Sequence, residues 1–211
     1  NRLMVVEFSL PALLPGALVG LHYGIQLSRP RWGFRSDVGG NRTRWIIGGM
    51  ITLALGGVGA TYAVTLFALN YWLALSASIL SYGMIGIGVG ASGTSLLALL
   101  ATATAANRRA AAATITWLMM IFGIALTAGV AGQFLDPYSP ERLMAVVSTI
   151  AILAIVLTVL AIWDIERSVR PRSSEPEVPF QKALREVWAE SKTRNFTIFV
   201  FLSMNAYFMQ E

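Results

Sequence analysis

Residues 45–107 carry no charged side chain, and no other feature constrains this chain so strongly. A helix needs roughly 20 apolar residues to cross about 30 Å of hydrocarbon, and this run has room for two such helices. Residues 8–28, 110–135 and 143–163 are also uncharged, and each is close to that length. A soluble domain can bury one helix of this kind, not five or six. With 55% hydrophobic and 13% charged residues, the chain reads as an all-α, polytopic membrane protein.

The breaks between apolar runs predict the spans. Asn1–Leu10 reads as the end of a first span, and Pro11 and Pro15 fall in the turn and first part of a second that runs to about Ser28. Arg29-Pro30-Arg31 stops it, and 29–44 reads as a glycine-rich, charged loop. Trp45–Phe67 is the third span, about Ala74 to Ala103 the fourth, and Asn107-Arg108-Arg109 turns the chain into a fifth ending near Phe134. Before the sixth, Ser139 is placed to cap a helix and Pro140 suits its first position. That span ends at Trp163-Asp164, a polar linker covers 165–194, and a seventh span begins near Asn195. The expected domains are 1–165, a six-helix bundle with a truncated first helix; 166–194, a linker; and 195–211, the start of the seventh helix. Both ends read as cuts through helices, so the chain is expected to be a fragment.

Basic residues orient the bundle. Of the 16 Lys and Arg, five lie in 29–44, two at 108–109 and seven in 165–194, all on one side by parity. The positive-inside rule makes that side cytoplasmic. Tyr62, Phe67, Tyr71 and Trp72 then mark the outer interface, and Trp32, Trp45 and Trp163 the inner one. The net charge of +5 reflects orientation and membrane lipid rather than nucleic acid. In the linker, 178–191 places Phe180, Ala183, Leu184, Val187 and Trp188 at helical spacing, the pattern of an amphipathic helix on the inner surface. It serves either as a spacer between two bundles or as a docking surface.

Four sets of residues are candidates for function. Arg2 and Glu7 are charges within the expected first span, where a charge costs about 2.5–3.5 kcal/mol at a helix centre. They read as a polar site at a midline cavity or as a brace between halves. Asn1 and Glu7 recur at identical spacing as Asn205 and Glu211, as a duplicated six-helix unit would give. Asp37, Arg42 and Arg44, with Arg108 and Arg109, can form a latch between helix ends. His22, the single histidine, lies between Gly20 and Gly24 in an apolar run. On its own it reads as a neutral histidine hydrogen-bonded to a neighbouring helix. Gly83, Gly86, Gly88, Gly90 and Gly93 suit close helix packing or a groove for a flat ligand. There is no cysteine, which removes disulfides and thiolate chemistry.

The segment Gly33-x-x-Ser36-Asp37-x-x-Gly40-x-Arg42 resembles the signature between helices two and three of the major facilitator superfamily. Val38 and Asn41 stand where that pattern has further Arg residues. Asn1-Arg2-Leu3-Met4-Val5-Val6-Glu7, Arg29 to Asp37 and Ala206 to Glu211 together resemble the PucC/LhaA family, the superfamily's branch associated with light-harvesting complex assembly. The resemblance implies a major-facilitator-type bundle, here its N-terminal six-helix half plus the start of helix seven. It implies a place in the bacterial inner, intracytoplasmic photosynthetic membrane, with loops 29–44, 104–109 and 165–194 cytoplasmic. It implies bacteriochlorophyll, with or without carotenoid, as the bound pigment, and His22 as a candidate ligand of its magnesium. Gly33, Asp37, Gly40, Arg42, Arg108 and Arg109 become the expected latch. Light-harvesting antenna polypeptides and the reaction centre are the implied partners.

Three functions compete. A non-enzymatic assembly factor that holds or delivers bacteriochlorophyll agrees with the resemblance and with an apolar, glycine-rich interior. A secondary transporter of a small solute needs a polar path, and the third to sixth spans carry no charge. A membrane enzyme of pigment synthesis needs clustered carboxylates to hold magnesium, and no carboxylate pair lies at helical spacing within a span.

Overall fold

A computed structural model describes residues 2–38, 41–163, 165 and 180–208; of 2, 3, 37, 38, 180, 183, 187 and 204–208 it gives the backbone alone. Among the described residues every regular element is helical. The helices are α1 (Arg2–Val6), α2 (Leu13–Gln26), α3 (Arg29–Val38), α4 (Arg42–Leu66), α5 (Tyr71–Ala103), a 3-10 turn (Ala106–Arg108) leading into α6 (Arg109–Phe134), α7 (Pro140–Ile162), α8 (Phe180–Ala189) and α9 (Ser191–Phe208). Among the described residues four of these, α4, α5, α6 with its leading turn, and α7, are long and apolar enough to cross a membrane. The protein is a polytopic helical membrane bundle.

Local chemistry starts the long helices where the sequence says it should. Asn70 caps α5 by accepting a hydrogen bond from the Leu73 amide at 3.1 Å, and Ser139 caps α7 by accepting one from Arg142 at 3.1 Å. Each satisfies an amide that the first helical turn leaves without a partner. Pro140 occupies the first turn of α7, where its missing N–H costs nothing.

Three expectations about the first 44 residues need correction. The first helix ends at Val6, and Glu7 to Ala12 form turns and irregular chain. The second forms 14 residues of helix, about 21 Å at 1.5 Å per residue and short of a full crossing. The expected loop 29–44 is largely helix, because Arg29–Val38 forms α3. Pro30 explains both changes. The last turn of α2 tightens, Leu27 bonding the Gly24 carbonyl and Ser28 the Ile25 carbonyl, and Pro30, lacking an N–H, cannot resume the ladder on the Gln26 carbonyl. At the second position of a new helix that loss is harmless, and α3 begins.

The chain forms two compact units, 1–170 and 171–211. In the first, α4 and α5 make the most extensive contact; α2 and α3 lie along α5, and α7 lies along α4. The contact of α4 with α5 is a seam of small residues. A β-carbon on Gly49 would fall 2.6 Å from the Ser92 nitrogen, one on Gly56 2.8 Å from the Ile85 nitrogen, and one on Gly88 2.5 Å from the Leu53 nitrogen. Backbones that close need glycine on both helices, and in lipid such close packing is what holds helices together. By contrast α6 has no buried residue; it packs thinly on α7 and exposes Trp117, Leu118, Met119 and Phe122.

Aromatic side chains gather at the two ends of this unit. Where α4 ends, Phe67 lies 6.4 Å from Phe8 and 5.7 Å from Tyr71, and Tyr71 lies 5.4 Å from Trp72. Met4, Leu18 and Val64 form a small core beside them. Where α4 begins, Trp32 and Trp45 stand 5.6 Å apart. Trp163, at the end of α7, is exposed.

Candidate functional site

The polar groups of the first unit concentrate where α2 bends into α3 against α5. Gly86 lets α2 approach: a β-carbon there would lie 2.8 Å from the His22 carbonyl oxygen and 3.0 Å from Ile25 Cβ. A β-carbon on Gly90 would make ordinary contacts with the Arg29 and Trp32 side chains, at 3.6 and 3.7 Å. One turn further, a β-carbon on Gly33 would meet Thr94 Cγ2 at 2.9 Å. Ser36 is fully buried and donates to the Gly33 carbonyl at 2.9 Å. The glycines of α5 therefore serve packing on two faces, with Gly83, Gly86 and Gly90 toward α2–α3 and Gly88 toward α4.

A chain of hydrogen bonds runs along the inside of this elbow. Arg29 donates to Gln26 Oε1, which fixes the amide so that Gln26 Nε2 is the donor. That nitrogen lies 2.7 Å from His22 Nε2. His22 Nε2 is then the acceptor, and the ring proton of the neutral imidazole resides on Nδ1. At the bend, Ser28 Oγ donates to the Ile25 carbonyl at 2.6 Å and accepts from Trp32 Nε1 at 2.7 Å.

This arrangement tests His22 as a magnesium ligand. Ligation requires a ring nitrogen with a free lone pair and open space along it. His22 Nε2 is engaged by Gln26, and Nδ1 is buried with no hydrogen-bond partner among the described residues. Gly20 and Gly24 do border open space, but neither imidazole nitrogen is open to it. As placed, His22 does not fit a bacteriochlorophyll macrocycle. Its bonded partner is Gln26, four residues on in its own helix; the His-x-x-x-Gln spacing was the available signal, since residues four apart face each other on a helix.

The expected latch is brought together in part. Arg42 donates from Nη1 to Thr102 Oγ1 at 2.7 Å and to the Ala98 carbonyl at 3.5 Å. It thereby ties the start of α4 to the last turn of α5, where a cation also meets the negative end of the helix dipole. Gly33 contacts α5 rather than lying in a loop. Arg108 and Arg109 are exposed at the start of α6, and Arg44 is exposed at the start of α4. The side chain of Asp37 and all of Gly40 lie outside the described residues.

Of the expected intramembrane polar set only the side chain of Glu7 is among the described residues. Glu7 is exposed in the turn after α1, not inside a helix. It lies near Tyr138 in the α6–α7 turn: burial, and then the charge of Glu7, raise the Tyr138 phenol above its ordinary value. Arg2 belongs to α1 and Asn205 to α9 by backbone, with side chains outside the description; Asn1 and Glu211 lie outside it altogether. Among the described residues no group of three or more His, Cys, Asp and Glu could hold a metal ion.

A family model described as PUCC protein matches residues 1–211. The "Bacteriochlorophyll synthase 44.5 kDa chain" of Rhodobacter capsulatus is 62% identical over 212 residues, an alignment that takes in 100% of this chain and 50% of that protein. "Protein PucC" of Rhodobacter capsulatus is 29% identical over 205 residues, 89% of this chain and 43% of the relative. "Protein PucC" of Cereibacter sphaeroides is 29% identical over 191 residues, 84% of this chain and 41% of the relative. The chain spans about half the length of the curated relatives it matches. No solved structure matches it.

Proposed function

The chain belongs to the PUCC protein family, and on that premise we propose that it acts as part of a non-enzymatic assembly factor for photosynthetic light-harvesting complexes. In this reading the protein resides in the bacterial inner membrane with its basic ends in the cytoplasm, and holds or delivers bacteriochlorophyll to nascent antenna or reaction-centre subunits. The observation that carries the proposal is the family match over every residue of the chain. Two further features support it. The long helices offer apolar, small-residue surfaces suited to hydrophobic cargo and to other transmembrane helices. The sequence places no carboxylate pair at helical spacing within a span, where magnesium-dependent prenyl transfer would need one.

The name of the 62% identical relative favours a second reading, a subunit of a pigment-synthesising enzyme. One purification from a pigment-producing host separates the two. Assembly predicts a bacteriochlorophyll absorption band or co-purifying light-harvesting or reaction-centre polypeptides, with no turnover of pigment precursors. A colourless preparation that retains none of these polypeptides rejects assembly. Conversion of a precursor by the purified protein establishes the enzyme.

A further inference from the structure

The second compact unit begins with a short helix whose sides differ sharply in chemistry. At 100° per residue, positions 180, 183, 184, 187 and 188 of α8 fall on one arc, occupied by Phe, Ala, Leu, Val and Trp. Leu184 is 51% exposed and Trp188 52% exposed. Lys182, Arg185 and Glu186 occupy the other side and are exposed. Leu184 and Trp188, exposed side by side on so apolar an arc, require a cover.

Three observations say what the cover is. First, α8 and α9 are separated by a single residue, Glu190, at which the chain bends. α9 continues into Phe196 to Leu202, a run that is apolar except for Thr197 and whose six apolar side chains are exposed. A helix one bend away from such a run is held at the depth where hydrocarbon meets water. Second, the charge near the bend is basic. Lys182, Arg185, Lys192 and Arg194 outnumber Glu186 and Glu190 there, four to two, a net charge of +2. Third, a tryptophan at the edge of the apolar arc, with Arg and Lys beyond it, is the arrangement that sits at headgroup level, ring inward and cations toward phosphate.

We propose that α8 is an interfacial anchor that lies in the plane of an anionic phospholipid surface, with Leu184 and Trp188 directed into the acyl region and Lys182 and Arg185 on the phosphates. It fixes the point at which α9 enters the membrane, with the bend at Glu190 held at the lipid surface. This inference is independent of the assembly reading and of any pigment.

The chain has no cysteine, so Leu184→Cys and Lys182→Cys variants carry single nitroxides at known places within it. The full-length protein is reconstituted in nanodiscs of phosphatidylglycerol or of phosphatidylcholine, any cysteine elsewhere being replaced beforehand. In phosphatidylglycerol the nitroxide at 184 should collide with dissolved oxygen and be shielded from a water-soluble nickel chelate, and the one at 182 should show the reverse. In phosphatidylcholine the contrast should shrink. Equal access of the chelate to both sites overturns the proposal. Shielding of 184 from oxygen and chelate alike overturns it in favour of a protein partner, and an identical contrast in both lipids overturns its anionic component. A nitroxide at 188 repeats the measurement if the 184 variant misfolds.

Discussion

Gly49 and Ser92 face each other so closely that a β-carbon on Gly49 would lie 2.6 Å from the Ser92 amide nitrogen. No real side chain makes that contact, so α4 and α5 can be in this register only because position 49 has none. The same seam holds Gly56 against Ile85 and Gly88 against Leu53. Gly48 and Gly93 border open space on the same two helices. We expect Gly49→Ala and Gly88→Ala each to cost about 1–3 kcal/mol, the range for overpacking a tight interface. Gly48→Ala and Gly93→Ala should be neutral or slightly stabilising, since alanine is the better helix former. Thermal unfolding of the detergent-solubilised protein measures all four, and equal losses across them would contradict the seam.

Gly33 and Thr94 offer a sharper test because the obstacle is one methyl group. A β-carbon on Gly33 meets Thr94 Cγ2 at 2.9 Å. Gly33→Ala should therefore destabilise the protein, and Thr94→Ser, which deletes that methyl, should restore most of the loss. A double-mutant cycle reads the coupling directly. Simple additivity would mean that α3 does not rest on α5 at this point.

His22→Ala should leave any bound-pigment absorption band unshifted, because neither imidazole nitrogen is open to a ligand. Its effect should appear in stability instead. Losing the bond to Gln26 is expected to cost about 0.5–1.5 kcal/mol, and Gln26→Ala should produce a loss of similar size. Loss of the band in His22→Ala with unchanged unfolding temperature would restore His22 as a pigment ligand.

Arg42 should matter through its reach to α5 as well as through its charge. Arg42→Ala removes the bonds to Thr102 and to the Ala98 carbonyl and is expected to cost about 1–2 kcal/mol. Arg42→Lys keeps the cation but loses the guanidinium geometry, and should recover only part of that. Limited proteolysis at 104–108, just beyond the last turn of α5, should accelerate in Arg42→Ala and remain slow in Arg109→Ala, whose side chain is exposed.

What the sequence could determine was whatever is written locally. Hydrocarbon thickness sets how many apolar residues a span needs, so α4, α5, α6 and α7 were readable from uncharged runs and their breaks. Asn70 and Ser139 start helices through a side chain three residues from the amide that it satisfies, and the Ser139-Pro140 signal was legible for that reason. Family membership was also legible, in short motifs at the ends and in the first inter-helix segment.

Tertiary structure decided what depends on which surfaces meet. Arg29 to Val38 looked like loop because charge, proline and glycine break local patterns; it is helix because Pro30 stands in its first turn while Gly33 packs on Thr94 of α5. The glycines of the fourth span suited close packing or a groove, and only the packed helices show that Gly86 and Gly90 face α2 and α3 while Gly88 between them turns to α4. His22 was read as bonded to a neighbouring helix or as a ligand, yet its partner is Gln26 in its own helix, a third arrangement. Spacing along a chain specifies which residues share a face, but the partner of that face, and the gap left for a β-carbon or a ligand, are fixed only when the helices are packed.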